Sequence, residues 1–288
     1  MNSCKTAAKD SGLKENDLNN LLNIAKIAAM KGGESLMNNY GKIKTIKCKG
    51  TAGDLVTNAD IECEKLIIEF LEKKTPYISI IAEESGDKSK DGKLKWCVDP
   101  LDGTTNYAHG YPFFATSIGL IWNSRPILGA ISVPCLNEIY YAAPGHGSFC
   151  NDVRINVTKT NSLSDCLLVT GFAYDRRELL DNNYSEFCWL THRTHGVRRG
   201  GAAAVDLAFV ASGRVDGYWE RGLATWDMAA GVPIVELAGG IVSNYPHGSF
   251  DLESGRILAC NPEIKDELSK ELEKIRPLTP DSYGGKYS

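Results

Sequence analysis

Leu94-Lys95-Trp96-Cys97-Val98-Asp99-Pro100-Leu101-Asp102-Gly103-Thr104-Thr105-Asn106-Tyr107 is the stretch on which the reading of this chain turns. Its first five residues are apolar enough for a buried strand. Two carboxylates, Asp99 and Asp102, follow three residues apart, where that strand ends and a loop begins. Gly103 has no Cβ, so the backbone there can come close to a ligand. Thr104 and Thr105 offer hydroxyls and amides at what reads as a helix start, a place where anions bind well. Acids beside an anion cradle make sense with a cation between them, and the simplest arrangement is Mg²⁺ holding a phosphate. Taken alone, such a stretch is more often an Asx-turn ahead of a capped helix, because Asp, Gly and Asn are ordinary turn residues.

Further acids stand at the ends of other elements. Glu83 and Glu84 follow a β-rich run over 77–82, Asp227 follows Thr225-Trp226 at a helix start, and Asp54 precedes the helix that begins at Thr57. A hard cation takes oxygen ligands and keeps several waters. Two such ions about 3.5–4 Å apart clamp the attacking and leaving oxygens of phosphoryl transfer. Each acid also has a plain reading. Glu84 suits a solvated surface, Asp227 is stabilised by the helix dipole without a metal, and Asp54 could cap a turn.

The bulk properties bound the answer. At 288 residues and 43% hydrophobic content, the chain can bury the core of one large domain or two closely packed halves. A net charge of −4 argues against a basic nucleic-acid surface, and the Lys-rich run over 42–49 reads as a solvated loop. Nine cysteines lack CxxC spacing, and Cys97, Cys166, Cys188 and Cys260 lie in apolar runs. They read as reduced core residues of a cytoplasmic protein, with an organelle stroma left open. No apolar run approaches a membrane-spanning length.

Periodicity predicts helices over 17–40, from Thr57 with Asp60 as capping-box partner, and over 176–191, 201–212, 226–237 and 262–275. Strands are predicted over 77–82, 94–98, 167–170, 215–219, 241–243 and 257–260, with 115–150 a largely antiparallel sheet. Reversals are expected at Arg125-Pro126 and Leu136-Asn137, and Pro233 should disturb its helix. The class is mixed α/β, as one domain over 1–288: an α+β half to about 150, an α/β half over about 151–275, and a loosely ordered tail over 276–288.

Five blocks then resemble the inositol monophosphatase family of lithium-sensitive, Mg²⁺-dependent phosphatases. They are Gly53 to Asp60, Ala82 to Ser85, Trp96 to His109, Arg199 to Asp206 and Trp226 to Gly231, in family order. The resemblance implies a layered α-β-α-β-α sandwich and a homodimer. It implies that Glu83, Asp99 and the carbonyl of Leu101 bind one Mg²⁺, that Asp99, Asp102 and Asp227 bind a second, and that a third sits near Glu83. Gly103, Thr104 and Thr105 would hold the phosphate. Thr104 would touch the attacking water with Asp54 as its partner, and Glu83 would take the proton. Glu220, Gly201 and Ala203 would face a phosphorylated polyol, with Ala202 standing where some members have Thr. Arg198 and Arg199 lie close by, with phosphate, a partner subunit or nothing as their contact, and all five histidines read as structural or surface.

The implied reaction is hydrolysis of myo-inositol 1-phosphate by in-line attack of water. Two alternatives stay open. One is a phosphatase for fructose 1,6-bisphosphate, histidinol phosphate or a 3′-phosphoadenosine nucleotide. The other is a non-catalytic, metal-binding regulatory protein.

Overall fold

The structure, a computed structural model, describes residues 3–42, 45–48, 55–88 and 92–277. Three helices open the chain: α1 (Cys4–Ser11), α2 (Glu15–Asn39) and α3 (Asn58–Lys74). The antiparallel pair β1 (Ile46–Cys48) and β2 (Leu55–Thr57) lies between α2 and α3. Next come β3 (Ser79–Ala82), β4 (Gly86–Lys88), β5 (Leu94–Asp102) and the short α4 (Thr104–Ala108). Strands β6 (Ala115–Trp122), β7 (Arg125–Val133), β8 (Glu138–Ala143), β9 (Gly147–Cys150) and β10 (Val153–Arg154) form a meander. The remainder alternates: β11 (Leu167–Thr170), α5 (Tyr184–Arg193), β12 (Gly196–Arg199), α6 (Ala203–Ala211) and β13 (Gly217–Arg221). It closes with α7 (Thr225–Ala229), α8 (Gly231–Leu237), β14 (Ile241–Ser243), β15 (Arg256–Cys260) and α9 (Lys265–Glu273).

Two large sheets organise these elements. One has eight strands in the order β10-β9-β8-β7-β6-β5-β3-β4, antiparallel except where β3 meets β5. The other has five in the order β12-β11-β13-β15-β14, with β11 parallel to both its neighbours. The strands at the centre of the larger sheet are buried on both faces, which explains their unbroken apolar text. Trp96, Val98, Ile118 and Leu128 pack towards α2 and α3, whereas Cys97, Ile121 and Ile131 pack towards α6, α7 and α8. The smaller sheet lies beyond that middle helical layer, and α5 and α9 cover its outer face through Leu190, Leu268 and Leu272. The result is the α-β-α-β-α sandwich.

Helix α2 buries the predicted stripe Leu18, Leu21, Leu22, Ala25, Ala28 and Ala29. Thr57 and Asp60 form the predicted capping box of α3. Other expectations need correction. Helix α1, capped by Ser3, went unread because it spans only eight residues. The first reversal falls at Asn123-Ser124, both in the left-handed region, and Pro126 lies inside β7. The 176–191 helix is a 3-10 turn at Tyr174–Arg177 followed by the later helix α5. The 226–237 helix splits at Ala230, because Pro233 has no N–H to offer the turn before it. The last predicted helix starts as a 3-10 turn at Pro262–Ile264. Cys97, Cys166 and Cys260 are buried, but Cys188 is exposed on α5. Residues 278–288 of the expected tail lie outside the described residues. No helix among the described residues is long and apolar enough to cross a membrane.

Candidate active site

Asp99 and Asp102 belong to β5, which runs through the motif instead of stopping before it. Residues three apart on a regular strand face opposite ways. Here the register against β6 shifts by one residue, with Asp99 opposite Ser117 and Asp102 opposite Ala115. This β-bulge restores both carboxylates to the inter-sheet face. Gly103 then turns the chain at φ 90°, and a side chain there would press on Ala202 and the carbonyls of Phe113 and Gly201.

A cavity of about 310 Å³ opens at this point between the two sheets. Five carboxylates line it: Glu83, Asp99, Asp102, Glu220 and Asp227. Gly103, Thr104, Thr105, Gly201 and Ala203 line it as well, so the predicted phosphate and polyol residues share the same space. Glu83 follows β3 and is half-buried, while Asp227 comes from the first turn of α7, where its carboxylate accepts the Ala224 amide at 2.7 Å. Asp102 accepts the amides of Ala203 and Ala204 at 3.0 and 2.8 Å, at the N-terminus of α6.

The charges repel one another. Burial pushes Asp99 well above the usual carboxylate range, and Glu83, Asp102 and Asp227 push it further. Asp227 is raised by burial, then by Asp102 and Glu83. Burial lifts Asp102 to about 7 even though the α6 amides favour its ionised form. Glu220, on β13, is lifted by burial to about 7 against a 2.6 Å hydrogen bond donated by Tyr218. Buried acids facing one another with oxygen donors only make a setting for a hard cation. Among the described residues no three acid, His or Cys side chains already close on one point tightly enough to grip an ion.

Thr104 is buried, and its hydroxyl lies 3.0 Å from both Asp60 Oδ1 and the Leu101 carbonyl. The partner that the sequence reading gave it, Asp54, lies outside the described residues. Asp60 was legible as a capping residue, and its Oδ2 does accept the Thr57 amide and hydroxyl at 2.8 and 2.6 Å. What spacing could not show is that its other oxygen reaches α4, 44 residues later in the chain.

The sequence reading also missed the wall formed by Gly171, Phe172, Ala173 and Tyr174. Buried Asn183 closes that segment by donating to Thr170 and the Gly171 carbonyl at 2.7 Å. Arg221 holds it from the other side through Asp175 at 2.8 Å. Glu84 is half-buried and outside the cavity lining, and its amide donates to Glu64 at 2.7 Å. Among the described residues, no histidine lines the cavity.

Comparison with known proteins agrees with this architecture. Residues 17–276 match the inositol monophosphatase family. An inositol-1-monophosphatase from Synechocystis sp. is 50% identical over 93% of each chain. A Pasteurella multocida protein named Nus factor SuhB is 38% identical over 92% of this chain and 99% of its own. The solved inositol monophosphatase from Anabaena (Nostoc) sp. superposes with a TM-score of 0.83 at 47% identity, covering 91% of this chain and 98% of that one. The chain is therefore a phosphatase and belongs to the inositol monophosphatase family.

Proposed function

We propose that the protein hydrolyses myo-inositol 1-phosphate to myo-inositol and phosphate, by in-line attack of water, with two to three Mg²⁺ ions as cofactor. The observation that carries this reading is the meeting of five carboxylates and the Gly103–Thr105 turn in one cavity. Glu83, Asp99 and the Leu101 carbonyl would hold one ion, and Asp99, Asp102 and Asp227 a second; a third would sit near Glu83. When bound, Mg²⁺ would neutralise the clustered acids and make a neighbouring water easier to deprotonate.

The chain's own groups do the rest. Asp60 and the Leu101 carbonyl, each 3.0 Å away, are the acceptors for the Thr104 hydroxyl hydrogen, so the Thr104 oxygen would present its lone pairs to the attacking water and orient it. Glu83, which lines the cavity and acts on Asp99, would accept the proton that water loses. Gly103 lets the phosphate approach the backbone. One Glu220 oxygen is engaged by Tyr218, which leaves acceptor capacity for polyol hydroxyls. A homodimer and inhibition by lithium belong to the same proposal.

The test is phosphate release by purified protein from four substrates, with Mg²⁺ and with EDTA. The substrates are inositol 1-phosphate, fructose 1,6-bisphosphate, histidinol phosphate and 3′-phosphoadenosine 5′-phosphate. Release from inositol 1-phosphate that EDTA abolishes is the expected result. Release only from histidinol phosphate or the nucleotide keeps the chemistry and overturns the substrate. No release from any of them favours the non-catalytic reading.

A further inference from the structure

Glu220 reaches the cavity by leaning over a residue that has no side chain. Strand β11 runs parallel to β13 with Thr170 beside Trp219, so the next step of the register brings Gly171 beside Glu220. Side chains at such neighbouring positions stand on the same face, about 5 Å apart. A Cβ at Gly171 would collide with both carboxylate oxygens of Glu220 and with its Cδ. The Glu220 carboxylate therefore occupies the volume that a side chain at 171 would fill. Gly171 lies outside the left-handed region, so its backbone conformation does not call for glycine. The space above it does.

The seat is also fixed in place. Buried Asn183 donates to the Gly171 carbonyl at 2.7 Å, and the Trp219 indole donates to Asn183 at 2.6 Å. That chain of bonds ties Gly171 to the residue before Glu220, so the seat cannot withdraw from β13. The carboxylate also takes the 2.6 Å hydrogen bond of Tyr218, two residues earlier on the same face of the strand. Glu220 is buried, and both it and Gly171 line the cavity.

We propose that Gly171 is a specificity-determining residue: its bare backbone seats the Glu220 carboxylate, with Tyr218 holding it there, where it accepts polyol hydroxyls. This deepens the polyol-phosphatase reading above and rests on it. Gly171 and Tyr218 act through Glu220 and are positioning residues. Alanine at 171 meets the free end of a flexible side chain and no backbone, so the fold can accept it. The carboxylate must then leave its seat and the Tyr218 hydroxyl. What is lost is recognition of the alcohol, and with it the preference for a polyol over an alcohol without further hydroxyls.

The test compares kcat/KM for inositol 1-phosphate with that for p-nitrophenyl phosphate, whose leaving group has no further hydroxyl, in Mg²⁺ and with melting curves as a check on folding. The wild type should favour inositol 1-phosphate. Gly171→Ala should lower the ratio about 10- to 100-fold, mainly through the KM of inositol 1-phosphate, the size of a lost hydrogen bond to a charged group. Glu220→Ala should lower it at least as much. The double variant Gly171→Ala/Glu220→Ala should lose no more than Glu220→Ala alone, because no carboxylate remains to be placed. An unchanged ratio in Gly171→Ala overturns the proposal, and so does a double variant whose loss is the product of the two single losses. If Gly171→Ala fails to fold, Tyr218→Phe takes its place in the same cycle, and the same two results decide. A wild type without preference for inositol 1-phosphate sinks the polyol reading and this proposal together, whereas a preference that survives Gly171→Ala sinks this proposal alone.

Discussion

Gly119→Ala tests whether close sheet-to-helix contact sets the position of Asp227. Gly119 lies on β6 opposite Gly129 on β7, and together they form a bare patch under the junction of α7 and α8. A Cβ at Gly119 would stand 2.6 Å from the Ala229 carbonyl carbon and 2.8 Å from the Ala230 amide, where ordinary contact begins at 3.4 Å. Both obstacles are backbone, so no side chain can swing away, and the junction must retreat by about 0.8 Å. Asp227 sits two residues before Ala229 on the same short helix and would move with it. Overpacking of this kind costs about 1–3 kcal/mol. The stiffer unfolded chain of an alanine variant returns about 0.4–1 kcal/mol, which is too little to cancel it. Thermal melts should therefore fall by a few degrees, at roughly 2–4 °C per kcal/mol for a chain near this size. Turnover should suffer more, because misplacement by about 1 Å can cost on the order of 100-fold. Steady-state phosphate release against Mg²⁺ concentration, beside differential scanning fluorimetry, measures both. A Gly119→Ala protein with wild-type melting and wild-type Mg²⁺-dependent turnover would refute the claim that this contact positions the acid.

Three further outcomes follow from the geometry. Folded-state raising of Asp102 and Glu220, from 3.8 and 4.5 to about 7, means the folded protein holds protons that the unfolded chain has released, so metal-free stability should fall as pH rises from about 4 to 7. The upper limit is roughly 4 kcal/mol for Asp102; urea melts in EDTA and in Mg²⁺ should diverge as pH rises, and parallel curves would count against a cation at the acids. Thr104→Val keeps the shape but removes the buried hydroxyl that meets Asp60, so it should cut kcat by about 100-fold or more and also lower melting by the roughly 1–3 kcal/mol of a stranded buried acceptor, while Thr104→Ser retains most activity and stability. Arg221→Met releases Asp175, which is half-exposed, so the stability cost should stay within about 1 kcal/mol; KM should rise several-fold and amide exchange over 171–183 should quicken, whereas an unchanged exchange rate would show that Asn183 alone holds the wall.

The sequence made the apolar framework readable because burial repeats with the period of each element. The α2 stripe, the Thr57–Asp60 capping box and the β6–β9 meander all follow local rules, and the structure has them where they were expected. The acids were legible as candidates because each stands at the end of such an element. What local rules could not supply was the direction of a side chain after an irregularity. The one-residue bulge in β5 turns Asp102 to the same face as Asp99, and nothing in the spacing announces it. Partners distant in sequence were equally hidden: Asp60 read as a cap, and its second role requires α4 to lie against the start of α3. The segment over 171–183 has no apolar period, since its hold comes from Asn183 and Arg221, and periodicity therefore misread it as helix from Arg176 onwards.

Asp102 shows how the two halves of the chain are joined by the chemistry they serve. It ends β5 in the larger sheet, yet both its oxygens receive amides from the first turn of α6 in the middle layer. Those bonds aim the carboxylate and also fix Ala203 and the turn before it, where Gly201 and Arg199 face the cavity. Two oxygens offer about four acceptor positions, so two remain after the amides are served, enough for a cation ligand. Replacing Asp102 with Asn leaves one oxygen and brings an N–H₂ group against an amide donor, so one α6 amide loses its acceptor. The variant should therefore lose turnover through the acid cluster and, separately, loosen the side of the cavity lined by Gly201 and Ala203. A folded Asp102→Asn protein with wild-type turnover would show that neither link operates. One with lost turnover but unchanged exchange of the Ala203 and Ala204 amides would show that the carboxylate serves the acid cluster alone.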